Sequence, residues 1–145
     1  MIDSDQMISM RQDDLDELFR SSPPGDIPQG RGRGTVVFRP PTLVGRIAAK
    51  LAYLLAWKGK DFDPQGSDLR NLISPFGFRL IRARVYEQAS WLDGRPCIVL
   101  DYSKTSLVAR KIRDEIREVG NGVYLGLVFW GSRLVLKFTL EFPRS

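Results

Sequence analysis

The residues best suited to chemistry lie in the middle and second half of the chain. In the run Phe78 to Gln88, alternation puts Arg82, Arg84 and Tyr86 on one face with Phe78 and Leu80. If that apolar end points inward, the two guanidinium groups enter the interior, where each needs an anion. Further along, Asp114 shares a face with Ile112 and Ile116 and is a natural internal counter-charge. The anion is then either this protein carboxylate or the acidic head group of a ligand. Asp101 and Tyr102 follow the apolar run Ile98-Val99-Leu100 where a strand meets a loop. A carboxylate and a phenol there, joined by Asp114, could transfer protons as acid and base. The ordinary reading of the same pair is an Asp that caps a turn and a Tyr that packs.

Other chemistries are excluded by composition. The 145 residues contain no histidine and a single cysteine, Cys97. Histidine triads, Cys/His zinc sites, histidine-ligated haem and internal disulfides are therefore ruled out. No metal or other cofactor is expected. These exclusions favour a binding protein over an enzyme.

A small set of elements must position these residues. The size fits one domain, and 43% hydrophobic content allows a substantial core. Residues 1–26 carry seven acids against Arg11 and Arg20, whereas the rest of the chain has 20 bases and 10 acids. Residues 11–20, RQDDLDELFR, predict a short helix with acids in its early turns, and SSPPGDIPQG breaks it. We therefore divide the chain into an acidic N-terminal segment, 1–29, and one β domain, 30–145.

After GRGRG, residues 35–38 predict a strand ending at Pro40-Pro41. Residues 43–57 have helical periodicity, with Leu43, Ile47, Leu51 and Leu54 on one side and Arg46, Lys50, Tyr53 and Trp57 on the other. Cations beside interfacial aromatics suit transient contact with an anionic membrane, while Trp57 could line a ligand site. The segment is shorter than the ~20 residues needed to span a bilayer. The remainder reads as strands joined by turns, with hairpin signals at Asp93-Gly94, Asn121-Gly122 and Gly131-Ser132. Residues 111–119 also fit helical spacing, but the Asn-Gly that follows favours a strand. Leu134, Leu136, Phe138, Leu140 and Phe142 alternate with more polar residues, predicting a last strand buried on one face and mostly wet on the other.

These elements predict a mainly β protein: a lipocalin-like or calycin-like antiparallel barrel of ~8 strands, with an amphipathic helix after the first strand and a short N-terminal helix. The order DELF, Pro-rich link, GRGRG, helix, AWKGKDF resembles proteins of the GXWXG-motif family. The stretch IRDEIREVGNGVYLGL and the terminal LKFTLEF resemble that family's companion C-terminal domain of unknown function. Asp114, Ile116, Val119, Leu125 and Gly126 fall at that domain's spacings, and the resemblance covers roughly residues 13–142. Gly32 stands where the naming motif has tryptophan, the 103–110 loop is longer, and the proline after the family's YD element is missing. The resemblance implies a small lipocalin-like β protein and brings no established activity.

The expected function is binding of a small apolar or amphipathic molecule, lipid-like and with an anionic head group, inside the barrel. Arg82, Arg84, Tyr86, Asp114 and Trp57 are the expected ligand contacts, and Arg46, Lys50 and Tyr53 the expected membrane-facing residues. The first alternative is an isomerase or cyclase using Asp101, Tyr102 and Asp114. The second is an anionic membrane or nucleic-acid binder acting through the basic stretch 31–60, with nucleic acid the weaker partner. The acidic start lacks a basic and an apolar leader region, so a cytoplasmic location is expected.

Overall fold

The computed structural model describes residues 2–38, 60–62, 68–72, 79–103 and 110–143, with the backbone alone at 38, 61, 68–72 and 79–82. Two short helices open the chain: α1, Ser4–Ile8, and α2, Gln12–Ser21. Asp3 caps α1 by accepting from the Gln6 amide at 2.9 Å, and the Gln6 side chain accepts from the Asp3 amide at 3.0 Å. This reciprocal pair specifies a helix too short to show any periodicity. In α2 the acids Asp13 and Asp14 lie in the first turn and Arg20 in the last, as the helix dipole favours.

Among the described residues eight strands follow: β1 Gly30–Phe38, β2 Lys60–Phe62, β3 Asp68–Leu72, β4 Arg79–Ala89, β5 Pro96–Asp101, β6 Ile112–Gly120, β7 Val123–Trp130 and β8 Arg133–Glu141. Consecutive strands pair antiparallel. β1 also pairs with β8, with Val36 opposite Phe138, so the order of pairing returns on itself. Hairpin glycines Gly94, Gly122 and Gly131 have φ of 75°, 74° and 60°, the left-handed conformation those turns require. Residues 112–120 form a strand, as the Asn-Gly signal indicates. The helix expected at 43–57 lies outside the described residues.

The inner face holds an apolar cluster that includes Phe62, Val85, Ile98, Ile116, Leu136 and Phe138. At the end where β2 and β6 finish and β7 begins, the rings of Phe62 and Tyr124 each meet the Phe142 ring edge-on, at centroid distances of 5.6 Å. The Phe142 ring occupies the space a side chain at Gly32 would take.

The outer face differs from expectation on β8. Lys137 and Thr139 are buried rather than wet, because the N-terminal helices lie over them. Thr139 shares a 2.7 Å hydrogen bond with the Ser4 hydroxyl, and Lys137 pairs with Asp16 at 2.6 Å and donates to Gln12. Met7, Leu15 and Phe19 are fully buried in a second apolar cluster with Cys97, Val99, Leu125 and Leu127. Burying each of those three side chains is worth on the order of 2 kcal/mol. Arg117, also fully buried, fixes the end of α2. It donates to both carboxylate oxygens of Asp93 at 2.7 and 2.8 Å and to the Phe19, Arg95 and Pro96 carbonyls, with its guanidinium 4.4 Å from the Phe19 ring centroid.

Candidate functional site

Alternation along β6 sends Ile112, Asp114 and Ile116 to the inner face, as their spacing predicts. Asp114 is 1% exposed. The charge that meets it is Lys60, the first residue of β2 and wholly buried. Lys60 Nζ lies 3.2 Å from Asp114 Oδ2 and donates to the Tyr102 hydroxyl at 2.9 Å. The Tyr102 hydroxyl is itself 3.5 Å from Asp114 Oδ2, at the limit of a hydrogen bond. The ammonium also sits 5.4 and 5.5 Å from the Phe138 and Tyr102 ring centroids, within cation–π reach. Lysine, tyrosine and aspartate thus form one polar cluster in an apolar interior.

The cluster has one incompletely satisfied atom. Among the described residues, Asp114 Oδ1 is buried with no hydrogen-bond partner. A buried acceptor left unpaired costs roughly 1–3 kcal/mol, so the position favours a donor. Burial pushes the Lys60 ammonium below its usual pKa, although Asp114 opposes this with its charge and hydrogen bond. Burial pushes the Asp114 carboxyl up, opposed by Lys60 and Tyr102. Burial thus works against the charged form of each group, and their contact with one another works for it.

Arg84, expected to meet Asp114, does not do so. Ala83 and Val85 take the inner positions of β4, which leaves Arg84 exposed on the opposite face. The side chain of Arg82 lies outside the described part of the structure. Tyr86 is also on the outer side, where its hydroxyl donates to Asp101 Oδ2 at 2.7 Å. Burial, then the hydrogen bond to Asp101 and its charge, push this phenol up to about 12. The error in the expectation was one of parity. Both faces of β4 mix arginine with apolar residues, and Phe78 and Leu80 carried more weight than the smaller Ala83 and Val85.

Asp101 also stands apart from Asp114. Its Oδ1 accepts from the Ser103 amide at 2.8 Å, the turn-capping arrangement. Burial would raise this carboxyl, but hydrogen bonds from Ser103 and Tyr86, with the Arg113 charge, hold it below its ordinary value. Of the three acid–base candidates, the structure brings together Tyr102 and Asp114 and excludes Asp101. Cys97 is buried under the N-terminal helices, and burial foremost, then the Glu115 charge, push its thiol up to about 12. It is an inert core residue. Arg31 and Arg33 are exposed on β1, while Arg46, Lys50, Tyr53 and Trp57 lie outside the described residues.

Lys60 was the residue that pattern analysis missed. It reads as one more cation in an acid-free basic stretch, and a three-residue strand is too short to display a face. Its only signal was proximity to Phe62, two residues away and on the same pleat. Among the described residues there is no group of three or more acidic or cysteine side chains able to hold a metal ion. No described helix is long and apolar enough to cross a membrane.

Fold and site together define a mainly antiparallel β protein with two N-terminal helices on its outer face and an ionisable cluster inside. Comparison with family models and with curated proteins gives no match. Among solved structures, the chain is similar to one described as the crystal structure of a protein from Thermomonospora curvata. The TM-score is 0.63 at 22% identity, over 93% of this chain and 89% of that one. At that identity the likeness shows a shared fold.

Proposed function

We propose that the chain is a lipocalin-like barrel that binds a small, mostly apolar molecule, with the polar end of the ligand against Lys60, Tyr102 and Asp114. The observation that carries this reading is the unpartnered Asp114 Oδ1, a buried acceptor beside a buried amine and a phenol. Apolar walls supply affinity, while a few convergent polar groups fix orientation. The head-group contact moves from the arginines of β4 to Lys60. Because Asp114 already balances that cation, the fitting head group is a neutral one rather than an anion. The resemblance to the GXWXG family supports the same architecture.

The test is mass spectrometry of gently purified protein under native conditions, with displacement of a fluorescent fatty-alcohol probe by decanol. A bound small molecule, or displacement that weakens in Lys60→Met and persists in Arg84→Ala, is the expected result. No bound species and no displacement would leave only a packed β protein. The contact between Tyr102 and Asp114 also favours a second reading, proton transfer on a ligand in the same place. That reading requires a turnover lost in Asp114→Asn while folding persists.

A further inference from the structure

We propose that Lys60 is a covalent anchor, its ε-amine condensing with the carbonyl of an apolar aldehyde to form an imine beside Asp114 and Tyr102. This inference rests on the reading above, that the interior accepts a small molecule, and it names that molecule's reactive group.

Three observations converge on it. First, lysines ordinarily keep the ammonium in water, yet Lys60 is wholly buried against Phe138 and Tyr102. Second, the amine has an acid within reach, with Asp114 Oδ2 at 3.2 Å and the Tyr102 hydroxyl at 2.9 Å. Third, Asp114 Oδ1 has its acceptor capacity unused among the described residues. A hydroxyl formed next to the amine would satisfy it.

The chemistry balances with groups already present. With the proton on Asp114, the neutral amine adds to the aldehyde carbon. The amine nitrogen gives up a proton and the former carbonyl oxygen gains one, forming a carbinolamine. The Asp114 carboxyl then protonates that hydroxyl, the carbon–oxygen bond breaks, and water leaves. The products are a protonated imine on Lys60 and the Asp114 carboxylate. The Lys60–Asp114 pair carries one cation and one anion afterwards, as it does before. Acylation of Lys60 would instead remove the cation that faces the buried Asp114 carboxylate. Aldehydes and ketones keep the charge balance, and an aldehyde is the less hindered of the two. Burial also favours the unprotonated, nucleophilic form of the amine, against the opposing charge of Asp114.

The experiment incubates the full chain with decanal at neutral pH, reduces with borohydride and maps the product by peptide mass spectrometry. One decyl group on Lys60, gained faster than on exposed Lys111, is the expected result. Lys60→Arg, which keeps a cation for Asp114, should abolish the fast label. The wild-type peptide map decides the matter even if that variant folds poorly. Labels spread over surface lysines with Lys60 spared would overturn the proposal. Decanol separates the two levels of the argument: if it displaces the fluorescent probe while decanal leaves Lys60 unmodified, the imine fails and the binding site stands. If neither occurs, both fall.

Discussion

The Lys60–Asp114 pair permits a quantitative test of whether the interior charges interact as their geometry indicates. The separation is 3.2 Å and the side chains are 0% and 2% exposed. Removing one partner, as in Lys60→Met or Asp114→Leu, leaves the other buried charge without its 3.2 Å counter-charge, at a cost of about 3–5 kcal/mol. A protein of this size has on the order of 5–15 kcal/mol in total, so each single variant should be severely weakened. With a urea dependence of about 2 kcal/mol/M, the unfolding midpoint falls by roughly 2 M. Replacing both residues removes the two desolvation penalties together. The Lys60→Met/Asp114→Leu double variant should therefore return to within about 1 kcal/mol of the parent or exceed it. Equilibrium urea unfolding followed by tryptophan fluorescence measures all four proteins. Single variants that lose less than about 1 kcal/mol, or a double variant as unstable as the two losses added, would refute the reasoning.

Three further outcomes follow from other contacts. Gly32→Trp should destabilise by about 1–3 kcal/mol through collision with the Phe142 ring, and Phe142→Ala in the same chain should recover part of the loss, as read by thermal melting. Arg117→Lys should lose most of what Arg117→Ala loses, about 3–5 kcal/mol, because a single ammonium cannot reach both Asp93 oxygens and three carbonyls. The Arg117 hydrogen bond holds the Asp93 carboxyl down at about 2, so its folded pKa lies below its ordinary value of 3.8. The resulting stability is complete above pH 4 and disappears as pH falls toward 2; Asp93→Asn should flatten urea-measured stability across that window.

The elements with strong periodicity were the ones readable from sequence. β8 alternates apolar and polar residues, the hairpin dipeptides Asp93-Gly94 and Asn121-Gly122 mark their turns, and Asp114 falls on the inner face with Ile112 and Ile116. Patterns failed where burial is decided by a partner remote in sequence. Lys137 and Thr139 look like solvent-facing residues until α1 and α2 cover them, over 100 residues away in the chain. Helix α1 carried its signal in the Asp3 and Gln6 capping pair, which a search for apolar periodicity does not see. On β4 the two faces are so evenly mixed that only the pairing of Val85 with Leu100 and of Tyr86 with Val99 resolves which is inside. Lys60 depends on three separate strands converging, and no local window contains them.

The central claim is that the polar end of a small ligand meets the Lys60 cluster. Nuclear magnetic resonance of protein with isotope-labelled lysine ε-carbons, titrated with decanol, tests it most directly. The Lys60 resonance, assigned by its loss in Lys60→Arg, which keeps a cation for Asp114, should shift saturably and with one-to-one stoichiometry while the Lys111 resonance stays in place. A Lys60 resonance that does not move at saturating decanol would contradict the account.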